Sequence, residues 1–400
     1  MALALIVSVV WIGTASADSD SRGRQLPGRV GETVPVSFQT ENGWWFDGLI
    51  ERPAAQESNG WAVMLLGGGL ATDIDWLVPG LMTLDGNPTR DALAIRDACL
   101  ARGFTVMRWS GIRRDDPQHA KDPLMADVAG FEHTVEQARL AWKAFQAKGG
   151  VPAEKVFLVG HSLGARRAGI LTAEQGPFAG LVTLAGAGLV NEKYTAVQSQ
   201  AEAAAKAMSG FDVDDDGRLD RTEFKKLCRE DDSFRLRVGA FRRIDSSKDS
   251  SVDRHELLIH LLARGIDDWA DEPAVEKDRF GYAIPFHAVI AAKMPVLSVV
   301  GGKDERWLQE LYLFAAKHRA GEGNRAGEGN RAGGVDRVGR SRRFSFHVFP
   351  GLGHQLGPEN QEAVRHPEHG VVAPSHVGPM SRDVIEFVAD WMEKQVARGR

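Results

Sequence analysis

Cysteine is nearly missing from this chain: Cys99 and Cys228 are the two among 400 residues. Two cysteines make no disulfide framework, and no CxxC pair occurs. A single bridge is left open, but Cys99 sits in a helical pattern, RDACLARGF, and is expected to pack as a small hydrophobe. A strong excess of either charge is missing too. The formal net charge of −5 is small for this length and argues against a general nucleic-acid binder. Nor does the N-terminal apolar run, Ala2–Ile12, reach the ~20 residues that span a bilayer. What is present is ordinary: 43% hydrophobic and 26% charged residues supply a sizeable core for one large domain or two smaller ones.

The apolar run ends in Ala15-Ser16-Ala17, a small-residue cleavage site. Residues 1–17 are therefore expected to be a signal peptide and the protein to be secreted or periplasmic. No Lys or Arg precedes the run, and a buried strand would read similarly.

From Val34 the chain alternates as a hairpin, VPVSFQTENGWWFDGLIERP, with Asn42-Gly43 as its turn. Short apolar strands follow in WAVMLLGGGL, FTVMRW, KVFLVG, AGLVTLAG, MPVLSVVGG and RFSFHVFPG. Helical patterns separate them at 90–103 and 127–150. Strands apolar on both sides, alternating with helices, predict a mostly parallel sheet covered by helices on both faces. Two stretches break the rhythm. Residues 191–284 are too long for a connection and carry helical patterns of their own. Residues 319–334, RAGEGNRAGEGNRAGG, cannot bury a core and read as a disordered insertion.

Gly160-His161-Ser162-Leu163-Gly164 fits G-x-S-x-G between a predicted strand and a predicted helix. A sharp turn there presents the Ser162 hydroxyl at the carboxyl edge of the sheet, and the glycines let strand and helix approach closely. A serine needs a base, and the base an orienting carboxylate. Asp304 follows the penultimate strand in VVGGKDERW, and His354 follows the last in VFPGLGHQLG. Either alone reads as a helix cap or a loop residue; the ordered pair reads as a triad. His366, His369 and His376 are rival bases, with a spacing that fits no familiar metal-ligand pattern. Oxyanion donors are expected from the amide of Leu163 and from the loop Gly67-Gly68-Gly69, with Gly68 favoured and Gly69 next. Trp76 and Trp307 lie near these loops in sequence and line an acyl pocket or pack in the core.

On LLGGGLATDID, GHSLG, MPVLSVVGGKDERW and FPGLGHQLG, the sequence resembles the α/β-hydrolase superfamily, in its bacterial esterase-type members, over 34–190 and 285–398. The resemblance implies an α/β-hydrolase sheet, with 191–284 inserted after the sixth strand as a lid over the active site.

That insertion holds FDVDDDGRLDRTEF. Asp212, Asp214, Asp216, Gly217, Asp220 and Glu223 occupy calcium-loop positions 1, 3, 5, 6, 9 and 12, with the Arg218 carbonyl at position 7. Leu219 is the apolar residue through which paired loops join. A weaker copy follows in Asp245, Ser247, Asp249, Ser251 (carbonyl), Asp253 and Glu256, with Ser250 where glycine is preferred. The pair resembles a paired EF-hand, and calcium is the expected cofactor, structural rather than catalytic.

These readings converge on an extracytoplasmic serine hydrolase that cleaves small-molecule carboxylic esters through an acyl-enzyme, with calcium ions as partners and no nucleic acid or stable membrane span. A peptidase or thioesterase would use the same triad. From another class, a calcium-binding interaction protein with an inactive hydrolase body would keep the loops without the chemistry.

Overall fold

The computed structural model describes residues 30–68, 73–76, 90–114, 131–186, 194–230, 241–245, 249–265, 294–304, 308, 311, 315, 344–357, 365–366, 370–371 and 379–399. The expected signal peptide at 1–17 and the Gly-rich repeat at 319–334 lie outside them, as do Gly69, Ser247, Trp307, His369 and His376.

The chain opens with the expected hairpin, β1 (Val30–Gln39) and β2 (Trp45–Pro53). Its turn is closed by Gly43, at φ +89°, whose N–H donates to the Thr40 carbonyl. Then come β3 (Ala62–Leu66), α1 (Asp91–Leu100), β4 (Thr105–Trp109), α2 (Phe131–Gly149), β5 (Val156–His161), α3 (Leu163–Gln175) and β6 (Gly180–Leu184). After an insertion the sheet resumes with β9 (Val296–Gly301) and β10 (Phe344–Phe349), and α8 (Arg382–Gly399) closes the fold. The eight strands lie in the order β1-β2-β4-β3-β5-β6-β9-β10. Within this sheet, among the described residues, only the β1–β2 and β2–β4 pairs are antiparallel.

Every residue of β3, β5, β6 and β9 is buried, as central parallel strands require. One face packs Trp142 and Phe145 of α2 and Leu171 of α3 against Met64, Leu158 and Leu181. The other packs Ile95 of α1 and Val384, Val388 and Met392 of α8 against Val63, Val159 and Leu297. This is the expected fold class in sheet and layers, a mostly parallel sheet with helices on both faces and a helical insertion after its sixth strand. Cys99 lies in the second core as a small hydrophobe, and burial pushes its thiol up to about 12. Both cysteines are free. Among the described residues no helix is long and apolar enough to cross a membrane.

The insertion contributes α4 (Tyr194–Phe211), β7 (Arg218–Leu219), α5 (Arg221–Glu230), α6 (Phe241–Ile244), β8 (Val252–Asp253) and α7 (Arg254–Gly265). Its apolar residues, among them Ala204, Leu219, Phe224, Ile244, Val252 and Leu258, form a third core. That core extends onto Ala315 and onto Phe344 and Phe346 of β10, so the insertion is anchored on the last strand of the sheet.

Asp91, first residue of α1, is buried and accepts the Met380 N–H at 2.9 Å, tying α1 to the segment ahead of α8. Burial pushes its carboxyl up to about 6 from 3.8, against the opposing effect of that hydrogen bond. The folded state thus holds the proton more tightly than the unfolded chain, so this group's contribution to stability falls as pH rises from about 4 through 6 and is flat above. Asp91→Asn keeps the acceptor and removes the charge. Urea unfolding is expected to show the variant gaining on wild type as pH rises, by up to ~3 kcal/mol at pH 8, with the gap closing near pH 4. Parallel profiles would contradict this placement of Asp91.

Candidate active site

The turn between β5 and α3 is built on close backbone contact. Ser162 has φ 51° and ψ −121°, a conformation that disfavours any residue with a Cβ. Its N–H donates to the Leu184 carbonyl at the end of β6, at 2.8 Å. Three glycines make room. A Cβ on Gly160 would stand 2.4 Å from the Gly164 carbonyl oxygen, one on Gly164 2.1 Å from that of Leu66, and one on Gly186 2.5 Å from that of Ser162. Strand, helix and β3 therefore meet nearer than side chains permit.

The structure brings Ser162, His354 and Asp304 together. His354 Nε2 lies 3.0 Å from Ser162 Oγ, and His354 Nδ1 lies 2.7 Å from Asp304 Oδ2. All three are buried, so the carboxylate and imidazole interact with little solvent between them. His354 Nδ1–H donates a hydrogen bond to the carboxylate, which leaves the Nε2 lone pair to accept one from the serine hydroxyl. The Asp304 carbonyl accepts the Leu308 N–H at 2.9 Å, while its side chain goes to His354. The acid turn and the histidine loop are fastened to each other: Gly302 N–H donates to Phe349 O at 2.9 Å and Lys303 N–H to Leu352 O at 3.1 Å. A Cβ on Gly301 would stand 2.3 Å from the Leu352 carbonyl oxygen, so this contact also needs a glycine. Of the rival histidines, His366 is placed by its backbone in a short strand, Arg365–His366.

Gly68 lies against the nucleophile: a Cβ there would be 3.7 Å from Ser162 Cβ. Leu163 is the first residue of α3, where backbone N–H groups have no partner within the helix. Trp76 is buried at φ 59°, its ring 6.1 Å from that of His161, and its Nε1–H has no partner among the described residues.

Three contributors were missed by sequence reasoning. His161 places Nε2 3.1 Å from the His354 carbonyl, joining the nucleophile strand to the histidine loop. Buried Arg108 donates to Glu51 at 2.8 Å, to the Ile74 carbonyl at 3.2 Å and to Asp75, holding the segment that carries Trp76. Arg167 of α3 donates to the carbonyls of Gly67 and Gly68. Paired arginines in an otherwise apolar helix start, GARRAGIL, were the available signal for the last.

The insertion brings a second set of groups together. Asp212, Asp214 and Asp216 each offer a carboxylate oxygen within 4.8 Å of the others. Asp212 accepts the Gly217 N–H at 2.9 Å, with Gly217 at φ +80°, and Glu223 accepts the N–H groups of Val213 and Asp220 at 2.7 and 2.9 Å. Asp220 Oδ1 caps the start of α5 through the Thr222 and Glu223 amides. Desolvation and the neighbouring charges of Asp216 and Glu223 push the Asp214 carboxyl up. Convergent oxygens in mutual repulsion fit a hard cation. The copy is less free: Asp249 is paired with the Arg218 guanidinium and accepts the Ser251 hydroxyl at 2.7 Å, and Ser250 is held at φ 74°. Asp253 and Glu256 hydrogen-bond to each other's amides at 2.8 and 3.3 Å, and Asp245 is buried nearby in sequence. The loops meet through the β7–β8 pairing of Leu219 with Val252.

No protein-family model matches the sequence, and no curated protein matches it. Solved structures with some likeness include a lipase in its open form, at 15% identity and TM-score 0.42, covering 91% of this chain and 99% of that one. A carboxyl esterase from Bacillus coagulans has 11% identity and TM-score 0.42, with 91% and 99% covered. The esterase domain of a Rhodothermus marinus protein has 12% identity and TM-score 0.41, with 91% and 100% covered. Likeness this distant carries nothing about activity; the site geometry must do so.

Gly164→Ala tests the turn. A methyl aimed at a backbone oxygen forces strand and helix apart, and overpacking of this kind costs about 1–3 kcal/mol or more. The variant is expected to lose at least that much in urea unfolding. Wild-type stability would contradict the close approach.

Proposed function

We propose that the protein is a serine hydrolase of carboxylic esters, acting outside the cytoplasm through an acyl-enzyme. The observation that carries this reading is the buried relay from Asp304 through His354 to Ser162. In the first step Ser162 Oγ bonds to the ester carbonyl carbon while its proton passes to His354 Nε2. Asp304 stabilises the imidazolium and keeps its ring oriented. The negative carbonyl oxygen is received by the amides of Leu163 and of Gly68 or Gly69. His354 then gives the proton to the departing alkoxide as the C–O bond breaks. Water, deprotonated by His354, then bonds to the acyl carbon, and His354 returns that proton to Ser162 Oγ as the acyl C–Oγ bond breaks and the acid leaves. A peptidase or thioesterase would use the same atoms. An inactive body serving only as a calcium-binding partner is disfavoured, because a relay at hydrogen-bonding distance has no use there.

The second part of the reading concerns 191–284 as a lid with paired EF-hands. Asp212, Asp214, Asp216, Asp220, Glu223 and the Arg218 carbonyl would hold one calcium ion. Asp245, Ser247, Asp249, Asp253, Glu256 and the Ser251 carbonyl would hold a second, more weakly, because Asp249 is already paired. The ion would neutralise the crowded carboxylates and fix the loops, with no part in the chemistry.

Ser162→Ala is expected to lower kcat for a short activated ester by on the order of 10⁴-fold or more, with unchanged unfolding. Turnover near wild type would remove Ser162 from the mechanism.

Calcium calorimetry is expected to show one tight site and one weaker site. A hundredfold excess over Kd stabilises the folded insertion by about 2.7 kcal/mol. Chelation is expected to raise hydrogen exchange in α4–α7 and to change KM for bulky esters while short esters are still cleaved. No calcium binding, or equal loss of kcat on both esters with an intact fold, would end the structural-lid reading.

A further inference from the structure

Arg167 is a cation in an unusual place. It lies on α3, only 4% exposed, and it faces no carboxylate among the described residues. Its partners are two successive peptide oxygens, those of Gly67 and Gly68, the latter at 2.6 Å. Burial holds its pKa down to about 10, which still leaves it charged at neutral pH. An apolar side chain of similar length would fill this space without the desolvation penalty of a buried charge that has no carboxylate partner among the described residues. Packing alone does not account for an arginine here.

Peptide geometry shows what the charge does. In a trans peptide the C=O and N–H point in opposite directions. Drawing the Gly67 oxygen onto the guanidinium therefore turns the Gly68 N–H to the opposite side, and Gly68 is the residue packed against Ser162. The carbonyls reach the cation because Gly164, three residues before Arg167 on the same helix face, has no Cβ to obstruct the Leu66 and Gly67 oxygens. A cation on the carbonyl also polarises the amide and strengthens it as a donor.

We infer that Arg167 is a positioning residue that orients and polarises the amides of the Gly67–Gly68 loop toward the oxyanion formed at Ser162. This inference rests on the serine-hydrolase reading. Arg167 need not touch substrate. Its effect appears only as negative charge develops on the carbonyl oxygen, so it belongs in kcat rather than in KM.

The test compares wild type, Arg167→Met and Arg167→Lys on a short activated ester. Each is also titrated with a short-chain trifluoromethyl ketone, whose adduct on serine carries an oxyanion, and with an uncharged amide analogue of the ester. The expected result for Arg167→Met is a kcat lower by about 10²–10³-fold, a KM within about threefold, ketone affinity reduced in step with kcat/KM, and unchanged amide binding. Both carbonyls are held by Nη2 of Arg167; lysine keeps the charge but not the planar, fixed direction of those two N–H donors, so Arg167→Lys is expected to fall between the two. A methionine variant with wild-type kcat, or one that loses ketone and amide binding equally, overturns the inference. Should Arg167→Met fail to fold, a folded lysine variant with wild-type kcat and ketone affinity overturns it as well. If wild type itself neither turns over esters nor reacts with a fluorophosphonate, the hydrolase reading fails and takes this inference with it. A reactive wild type beside unaffected variants sinks the inference alone.

Discussion

The backbone angle of Ser162 is the constraint on which the carboxyl edge of the sheet is arranged. At φ 51° the residue stands in a region where a Cβ is unwelcome, and it stays there because its surroundings leave no alternative. Its amide is tied to β6, and glycines at 160, 164 and 186 let the neighbouring backbones close in. The gain is geometric. A hydroxyl that leaves a strand end at this angle meets loops arriving from β3, β9 and β10 without any of them folding back over the sheet.

Those loops are then made mutually rigid. The acid turn and histidine loop share backbone hydrogen bonds and a contact only a glycine permits at 301, so backbone contacts as well as the side chains set the separation of Asp304 and His354. His161 ties the nucleophile strand to the histidine loop from the other side. Groups that need not reorganise during reaction are what electrostatic stabilisation requires. The insertion bears on the same elements: its core closes on Ala315 and β10, the stretches that follow Asp304 and precede His354.

Much of this was legible in the sequence because it is local. Five-residue apolar runs such as AVMLL and GLVTL announce buried parallel strands, and GHSLG after one of them announces a tight strand–helix turn. The order of Asp304 and His354 at successive strand ends follows from topology, and the gathering of Asp212, Asp214 and Asp216 follows from their alternate positions in one short loop. What escaped notice depends on partners distant in the chain. Arg108 reads as one charge in RWSGIRRDD until folding brings Glu51 and Asp75 to it. Arg167 reads only as one of two arginines in GARRAGIL until folding brings that side of α3 to the Gly67 and Gly68 carbonyls. The Arg218–Asp249 pair likewise joins loops that sequence treats separately, and it makes them more unequal than the serines alone imply. Where the insertion docks was also not readable, since docking depends on Phe344 and Phe346, far beyond its end.

The central claim is that Ser162 is a nucleophile activated by His354 and Asp304. The most direct measurement is intact-mass analysis after exposure to a fluorophosphonate, followed by peptide mapping of the adduct. The expected result is one adduct per chain, on Ser162, lost in the His354→Ala variant. No adduct on folded protein, or an adduct on another residue, would contradict the account.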